Sequence, residues 1–379
     1  MADLTLPKIG TPQIKLLERL CTACAVSGDE GEVRKIVIEE IKAHADSYKV
    51  DALGNVLATR QVAATRQVAA TRQAQNPGKR GAKPLRVLLA AHMDEVGFMI
   101  SADDKDGFFR FEVLGGVDAG ILIAKPVAIG KDHLTGVIGA KPIHLTTADE
   151  RKKSITLDSL RIDTGNGGNG KVKVGDRATF TPNFTTIGQG AGRSFRSKAL
   201  DDRIGVANLI ELIKNPPPNV ELLAAFTVQE EVGLRGAEVA AYTFDPDIAI
   251  ALDCTPAADL PSYHEEDENT RYNTRLDAGP AIYTVDRGTL SDPRLVRHFV
   301  ETGDALGIPY QYRQPGGGGT DAGAMHKARA GIPSLSVSVP GRYLHTPHSL
   351  VRLADWQNTL RLVYGALGRL TGEVLQGAR

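Results

Sequence analysis

The segment Leu222-Leu223-Ala224-Ala225-Phe226-Thr227-Val228 runs directly into Gln229-Glu230-Glu231-Val232-Gly233. Short, continuous and apolar, and preceded by the turn-rich Asn215-Pro216-Pro217-Pro218-Asn219, it predicts a buried strand. Neighbouring strand residues face opposite ways, so two glutamates at the strand's end can divide their work. One can hold a metal while the other moves a proton. Alone, such a pair reads as a solvated acidic loop. Four other segments place a comparable donor at the end of an apolar strand or the start of a helix. Residues 86–91 (RVLLAA) lead to His92-Met93-Asp94-Glu95, and Ala199-Leu200 lead to Asp201-Asp202-Arg203 at the head of an apolar helix. Residues 248–252 (IAIAL) end at Asp253, and His345 follows the apolar stretch 332–339. Ligands gather outside the carboxyl ends of strands in open α/β sheets, so the five segments have a reason to converge.

Composition narrows the classes. The 379 residues suffice for one large domain or two moderate ones. Lys plus Arg and Asp plus Glu each number 45, so the formal charge of zero argues against nucleic acid or an anionic membrane as partner. No apolar run approaches bilayer length, and the first residues lack a signal-peptide pattern. Three cysteines make no disulfide framework; Cys21 and Cys24 fall in a helical pattern with Leu17 and Leu20 and read as core. The default is a reduced, cytoplasmic protein.

Helices are expected from Thr11 and after Asp29, then a hairpin around Leu53-Gly54. A hexapeptide beginning at Ala58 recurs at Ala64 and starts again at Ala70. Fewer than three copies cannot stack into a solenoid, so 60–83 reads as an expanded surface loop. From about 98 to 183 the pattern turns to short alternating β-like runs punctuated by glycine, with Phe109, Phe111, Val127 and Ile129 as exposed-looking apolar positions that either mark an interface or form the core of a small domain. Helices are expected again over 292–306 and from 353 to about 374. The Gly316–Gly319 run lacks the Lys of a phosphate-binding loop and reads as backbone approaching a site.

The strings HMDEVGFMI (92–100), ALDDRIG (199–205), VQEEVG (228–233), ALD (251–253), GTDAG (319–323) and RYLHTP (342–347) resemble, in order, those of the M42 metalloaminopeptidases. The resemblance spans nearly the whole chain. It implies an α/β zinc-exopeptidase-like fold, a mixed sheet flanked by helices, with an inserted β-rich, PDZ-like domain. The expected divisions are 1–97 and 184–379 for the catalytic domain, with 98–183 as a dimerisation insert. Subunits would assemble as a dimer or a dodecameric shell.

Mixed imidazole and carboxylate donors suit zinc, cobalt or manganese better than calcium or magnesium. Five ligands exceed what one catalytic zinc takes and fit two divalent metals sharing a carboxylate. The resemblance implies that Asp201 bridges, with His92 and Asp253 on one metal and Glu231 and His345 on the other; Asp202 is its competitor. Asp94, two residues beyond His92, is placed to orient that imidazole. Glu230 remains as general base, and hydrolysis of short peptides at a free N-terminus follows, with zinc foremost among the metals. Two alternatives are a two-metal hydrolase of N-acyl amino acids and a glycoside hydrolase using Glu230 and Glu231, since some family members carry cellulase names. The latter leaves the histidines and aspartates without a task. A non-catalytic peptide-binding or assembly protein is a third, and it would tolerate loss of Glu230 or a ligand. The pocket for the substrate's first side chain is expected near 253–262 and 334–343.

Overall fold

The computed structural model describes residues 5–61, 84–261, 274–313 and 318–378. The chain opens with α1 (Thr11–Thr22), α2 (Gly31–Ile41), the hairpin β1 (Ser47–Val50) and β2 (Val56–Gln61), and β3 (Leu85–His92). A closed barrel follows. Its strands are β4 (Gly97–Asp103), β5 (Phe108–Leu114), β6 (Pro126–Ile129), β7 (Leu134–Gly139), β8 (Arg161–Asp163) and β9 (Arg177–Phe180), with the short helix α3 (Ala148–Lys152) between β7 and β8. The chain then supplies β10 (Phe184–Ile187), β11 (Ser194–Ser197), α4 (Leu200–Lys214), β12 (Val220–Thr227), α5 (Arg235–Phe244) and β13 (Ile248–Pro256). It closes with β14 (Ala281–Tyr283), α6 (Pro293–Leu306), β15 (Gln311–Arg313), α7 (Ala322–Met325), β16 (Ser334–Arg342), β17 (Ser349–Arg352) and α8 (Leu353–Arg369).

The main sheet runs β1-β2-β12-β3-β13-β16-β17-β11-β10, with β14 and β15 attached beside β16. Its centre, β12-β3-β13-β16, is parallel, and the flanking pairs are antiparallel. A parallel sheet needs cover on both faces, which is why β3, β12 and β13 read as apolar runs, while β16 is buried as well but alternates Ser334, Ser336 and Ser338 with Leu335, Val337 and Val339. Alternation persists inside those runs. Val87, Leu89, Leu222, Phe226, Ile250 and Leu252 point to the face covered by α1, α2, α4 and α8. Leu88, Ala90, Ala225, Ala249 and Ala251 point the other way, against Ala237, Ala240 and Ala241 of α5. Alanine on both partners brings that helix close to the sheet. Trp356 of α8 seals the larger core, with its indole N–H donating to Asn208 at 2.8 Å.

Of the two readings open for the barrel residues the structure takes the small-domain core, and one expected loop boundary moves. Phe109, Phe111, Val127 and Ile129 are not surface residues; they fill the barrel with Phe98, Ile138, Ile162 and Phe180. Closure turns one side of every short strand inward, and alternation alone does not say which side. The strand β2 also continues to Gln61, two residues into the expected loop, while the later hexapeptide copies lie outside the described residues.

Barrel and sheet are tied together by one carboxylate. Glu95, between β3 and β4, accepts from Lys198 at 2.8 Å, Arg203 at 3.2 Å, the Ala25 N–H at 3.0 Å and Thr179 of β9 at 2.9 Å. All three charged side chains are at most 2% exposed. Removing one member of such a buried network leaves uncompensated charge. Glu95→Ala is therefore expected to lower unfolding stability by about 3–5 kcal/mol, measured by urea titration. A loss below about 1 kcal/mol, the size of a surface ion pair, would count against this role.

Candidate metal centre

Register brings the donors together. Thr227 pairs with His92 across β12 and β3, so the two strands end side by side. Met93 N–H then bonds Thr227 O at 2.7 Å. The strand β13 runs beyond both, to Pro256, because it stays paired with β16 as far as Gly341. Asp253 thus lies within a strand rather than after one. From there it comes within 3.9 Å of His92 Nε2.

Two groups of possible metal donors result, His92–Asp201–Glu231 and His92–Asp202–Asp253, each with ligand atoms within 4.8 Å of one another. Asp201 has an oxygen toward each side of the site. Its Oδ1 is 3.2 Å from His92 Nε2 and its Oδ2 is 3.5 Å from His345 Nε2. The same His345 nitrogen is 3.5 Å from Glu231 Oε2. Asp202 is turned away: its oxygens accept from the backbone N–H groups of His92 (3.2 Å) and Gly205 (3.0 Å). A Cβ at Gly205 would sit 2.4 Å from that carboxylate, so the glycine of LDDRIG makes room for it. Asp202 holds backbone, while Asp201 faces the site.

Asp94 is entirely buried and organises two ligand segments. It accepts from Ser27 Oγ at 2.6 Å and from the Glu230 and Glu231 N–H groups at 3.0 and 3.2 Å. His92 Nδ1 lies 3.6 Å from its carboxylate and 3.2 Å from its carbonyl oxygen. Asn55 clamps the other side of the glutamate turn through Val228 N–H and Gly236 O. On the far wall, His345 Nδ1 meets Gly116 O at 2.7 Å, a carbonyl just beyond barrel strand β5. Ala199, Gln229, Tyr343 and His345 all have φ between 53° and 59°, next to or within the ligand segments. Non-glycine residues held in that region cost about 1–3 kcal/mol each and persist where the surroundings dictate them.

The electrostatics call for cations. Burial, followed by neighbouring carboxylates, pushes Glu230 and Asp253 well above the usual carboxylate range, and burial takes Glu231 up to about 7. Burial opposes charge on the imidazoles too, yet Glu230, Asp201 and Asp94 hold His92 well above its ordinary value. In the same way Asp201 and Glu231 outweigh burial at His345 and raise it to about 10. So much acidity in one buried spot is stable only with protons or metal ions among the carboxylates. Two imidazoles with three facing carboxylates are a donor set that fits two divalent transition metals. They open on a cavity of about 800 Å³.

The M42 glutamyl aminopeptidase family matches residues 74–362, most of the chain. The chain belongs to the M42 peptidase family. Lysyl aminopeptidase of Pyrococcus furiosus is 31% identical, over 94% of this M42 peptidase and 97% of its own length. Among solved structures, the TET aminopeptidase of a marine-sediment Thaumarchaeota archaeon is similar at a TM-score of 0.86 and 33% identity, covering 97% of this chain and 99% of that one. The Pyrococcus horikoshii TET1 peptidase, described as assembling into a tetrahedron or a large octahedral shell, is similar at 0.75 and 31%, covering 94% and 100%. This M42 peptidase is an enzyme, a metal-dependent aminopeptidase acting on peptides with a two-metal site.

Several of its functional residues escaped the sequence reading. Asp321, in the GTDAG string, accepts from Thr227 Oγ1 at 2.5 Å; burial raises it to about 6, and its charge adds to the pressure on Glu230. Ser27 and Gly116 carry no motif at all. Asp253, Cys254 and Pro256 of the 253–262 stretch line the cavity; none of residues 334–343 does, the lining resuming just beyond at Leu344, His345 and Thr346. Tyr283, Arg287, Arg313, Gly318 and Gly319 stand there instead, and Arg313 lies over the Tyr283 ring.

Proposed function

We propose that Asp201 is shared between two metals, with His92 and Asp253 completing one site and Glu231 and His345 the other. The placement of the two Asp201 oxygens toward the two histidines carries this assignment. When bound, the metals lower the pKa of a water and polarise the scissile carbonyl. Glu230, at the cavity wall, takes a proton from the attacking water and returns it to the departing amine. Asp94 fixes the turn that presents Glu230 and Glu231. Zinc is the foremost metal, with cobalt and manganese as substitutes, because the donors are imidazole and carboxylate. Peptides with a free amino terminus are expected to lose residues singly, and N-acetylation to stop the reaction. Cleavage of acetylated peptides at a similar rate would favour the N-acyl amino-acid hydrolase instead.

Metal uptake should be linked to protons. With His345 raised to about 10, its imidazole is protonated at neutral pH in the metal-free protein and must shed that proton to ligate. Raising pH from about 6 to about 9 weakens proton competition, so metal affinity rises across that window. Zinc titration with a pH indicator in weak buffer should register the release. Affinity independent of pH would contradict His345 as a ligand.

A homo-oligomer built through the barrel, a dimer or a dodecameric shell, is the expected assembly, and the similar PhTET1 and Pyrococcus horikoshii TET1 structures are described as a dodecamer and as a tetrahedron or large octahedral shell. Exposed apolar residues on that module also support it, notably Ile143, Leu145 and Val174 at 73%, 60% and 65% exposure. A shell would admit short unfolded peptides and exclude folded proteins. A cytoplasmic setting accords with three unpaired cysteines.

A further inference from the structure

Away from the catalytic cavity, three ligand-type side chains from two parts of the fold meet at one point. Cys24 follows α1, Glu32 stands in the first turn of α2, and His133 lies in the turn between barrel strands β6 and β7. The thiol sulfur, a carboxylate oxygen and an imidazole nitrogen all lie within 4.8 Å of one another. Glu32 sits between the other two: its Oε1 is 2.6 Å from His133 Nε2, and its Oε2 accepts the Cys24 N–H at 2.9 Å. None of the three lines the catalytic cavity.

We propose that Cys24, Glu32 and His133 bind a zinc ion that fastens the barrel to the catalytic part of the chain. Sulfur, nitrogen and carboxylate oxygen are the donors zinc takes, and three protein ligands plus water complete a tetrahedron. The charges also balance. A thiolate and a carboxylate neutralise Zn²⁺ while the imidazole binds in its neutral form, so a half-buried site carries no net charge. On binding, the thiol proton and any proton on Nε2 pass to solvent, and the Glu32–His133 contact gives way to bonds to the metal. The Lys131–Asp29 ion pair already joins the same barrel turn to the segment before α2, so the ligands are held near one another without the ion. The barrel is also held to the sheet by the Glu95 network, so the ion fastens this corner without setting the catalytic site.

The test uses the full chain, stripped of metal and reloaded with zinc or cobalt. Wild-type protein is expected to take up about three zinc ions, the third lost in Cys24→Ser and in His133→Ala, with turnover at saturating metal retained. Cobalt loading should give a near-ultraviolet thiolate-to-metal band. Cys254 is the thiol that lines the catalytic cavity, so Cys254→Ser serves as control. The band should survive in Cys254→Ser and vanish in Cys24→Ser. Should Cys24→Ser fail to fold, His133→Ala decides the matter, since that side chain is 41% exposed. A stoichiometry of two in wild type and variants alike, or a band that disappears only with Cys254, overturns the proposal.

Discussion

Glu230→Gln is expected to reduce turnover by about 100- to 10,000-fold while leaving both metals in place. The amide matches the carboxylate in shape but cannot accept a proton at neutral pH. Glu230's backbone N–H, which Asp94 holds at 3.0 Å, is unaffected, so the turn that carries Glu231 keeps its shape. Substrate affinity should therefore change little and kcat should bear the loss. Steady-state kinetics on an aminoacyl-p-nitroanilide, together with elemental analysis of the same sample, separates the two effects. A variant that keeps more than about a tenth of wild-type turnover lies outside the usual range for general-base loss and would remove Glu230 from that role.

Asp201→Ala is expected to empty both metal positions at once, and activity with them. One Asp201 oxygen faces the His92 side and the other the His345 side, so no other single substitution should strike both sites equally. Asp253→Ala should instead spare the pair formed by Glu231 and His345, and bound metal should fall by roughly half. The neighbour supplies the sharpest control. Asp202→Asn retains an oxygen to accept one backbone N–H and should keep its metals, because that side chain serves His92 N–H and Gly205 N–H. Metal content by elemental analysis across the three variants gives the answer. Two metals retained in Asp201→Ala, with loss in Asp202→Asn, would exchange the roles of the adjacent aspartates.

Much of this molecule is legible in the sequence because its central strands carry their own signature. A strand buried on both faces tends to be apolar along its length, so 86–91, 222–228 and 248–252 stand out, and whatever polar residue ends such a run invites attention. The chemistry of His92, Glu231, Asp253 and His345 likewise travels with the side chain wherever the fold carries it. What the tertiary structure alone decided has a different origin. Asp201 and Asp202 are chemically identical neighbours; only backbone direction, with Asp201 at φ −81°, ψ 110° and Asp202 at φ −117°, ψ 38°, sends one to the site and the other to backbone N–H groups. The barrel's short strands alternate on paper, but which face is core was settled by closure, and Phe109 and Phe111 went inside. Gly116 offers His345 a carbonyl, a group every residue possesses, across 229 positions of chain. A contact made by backbone over that distance leaves no mark in residue identity, so three-dimensional packing is where it first becomes visible.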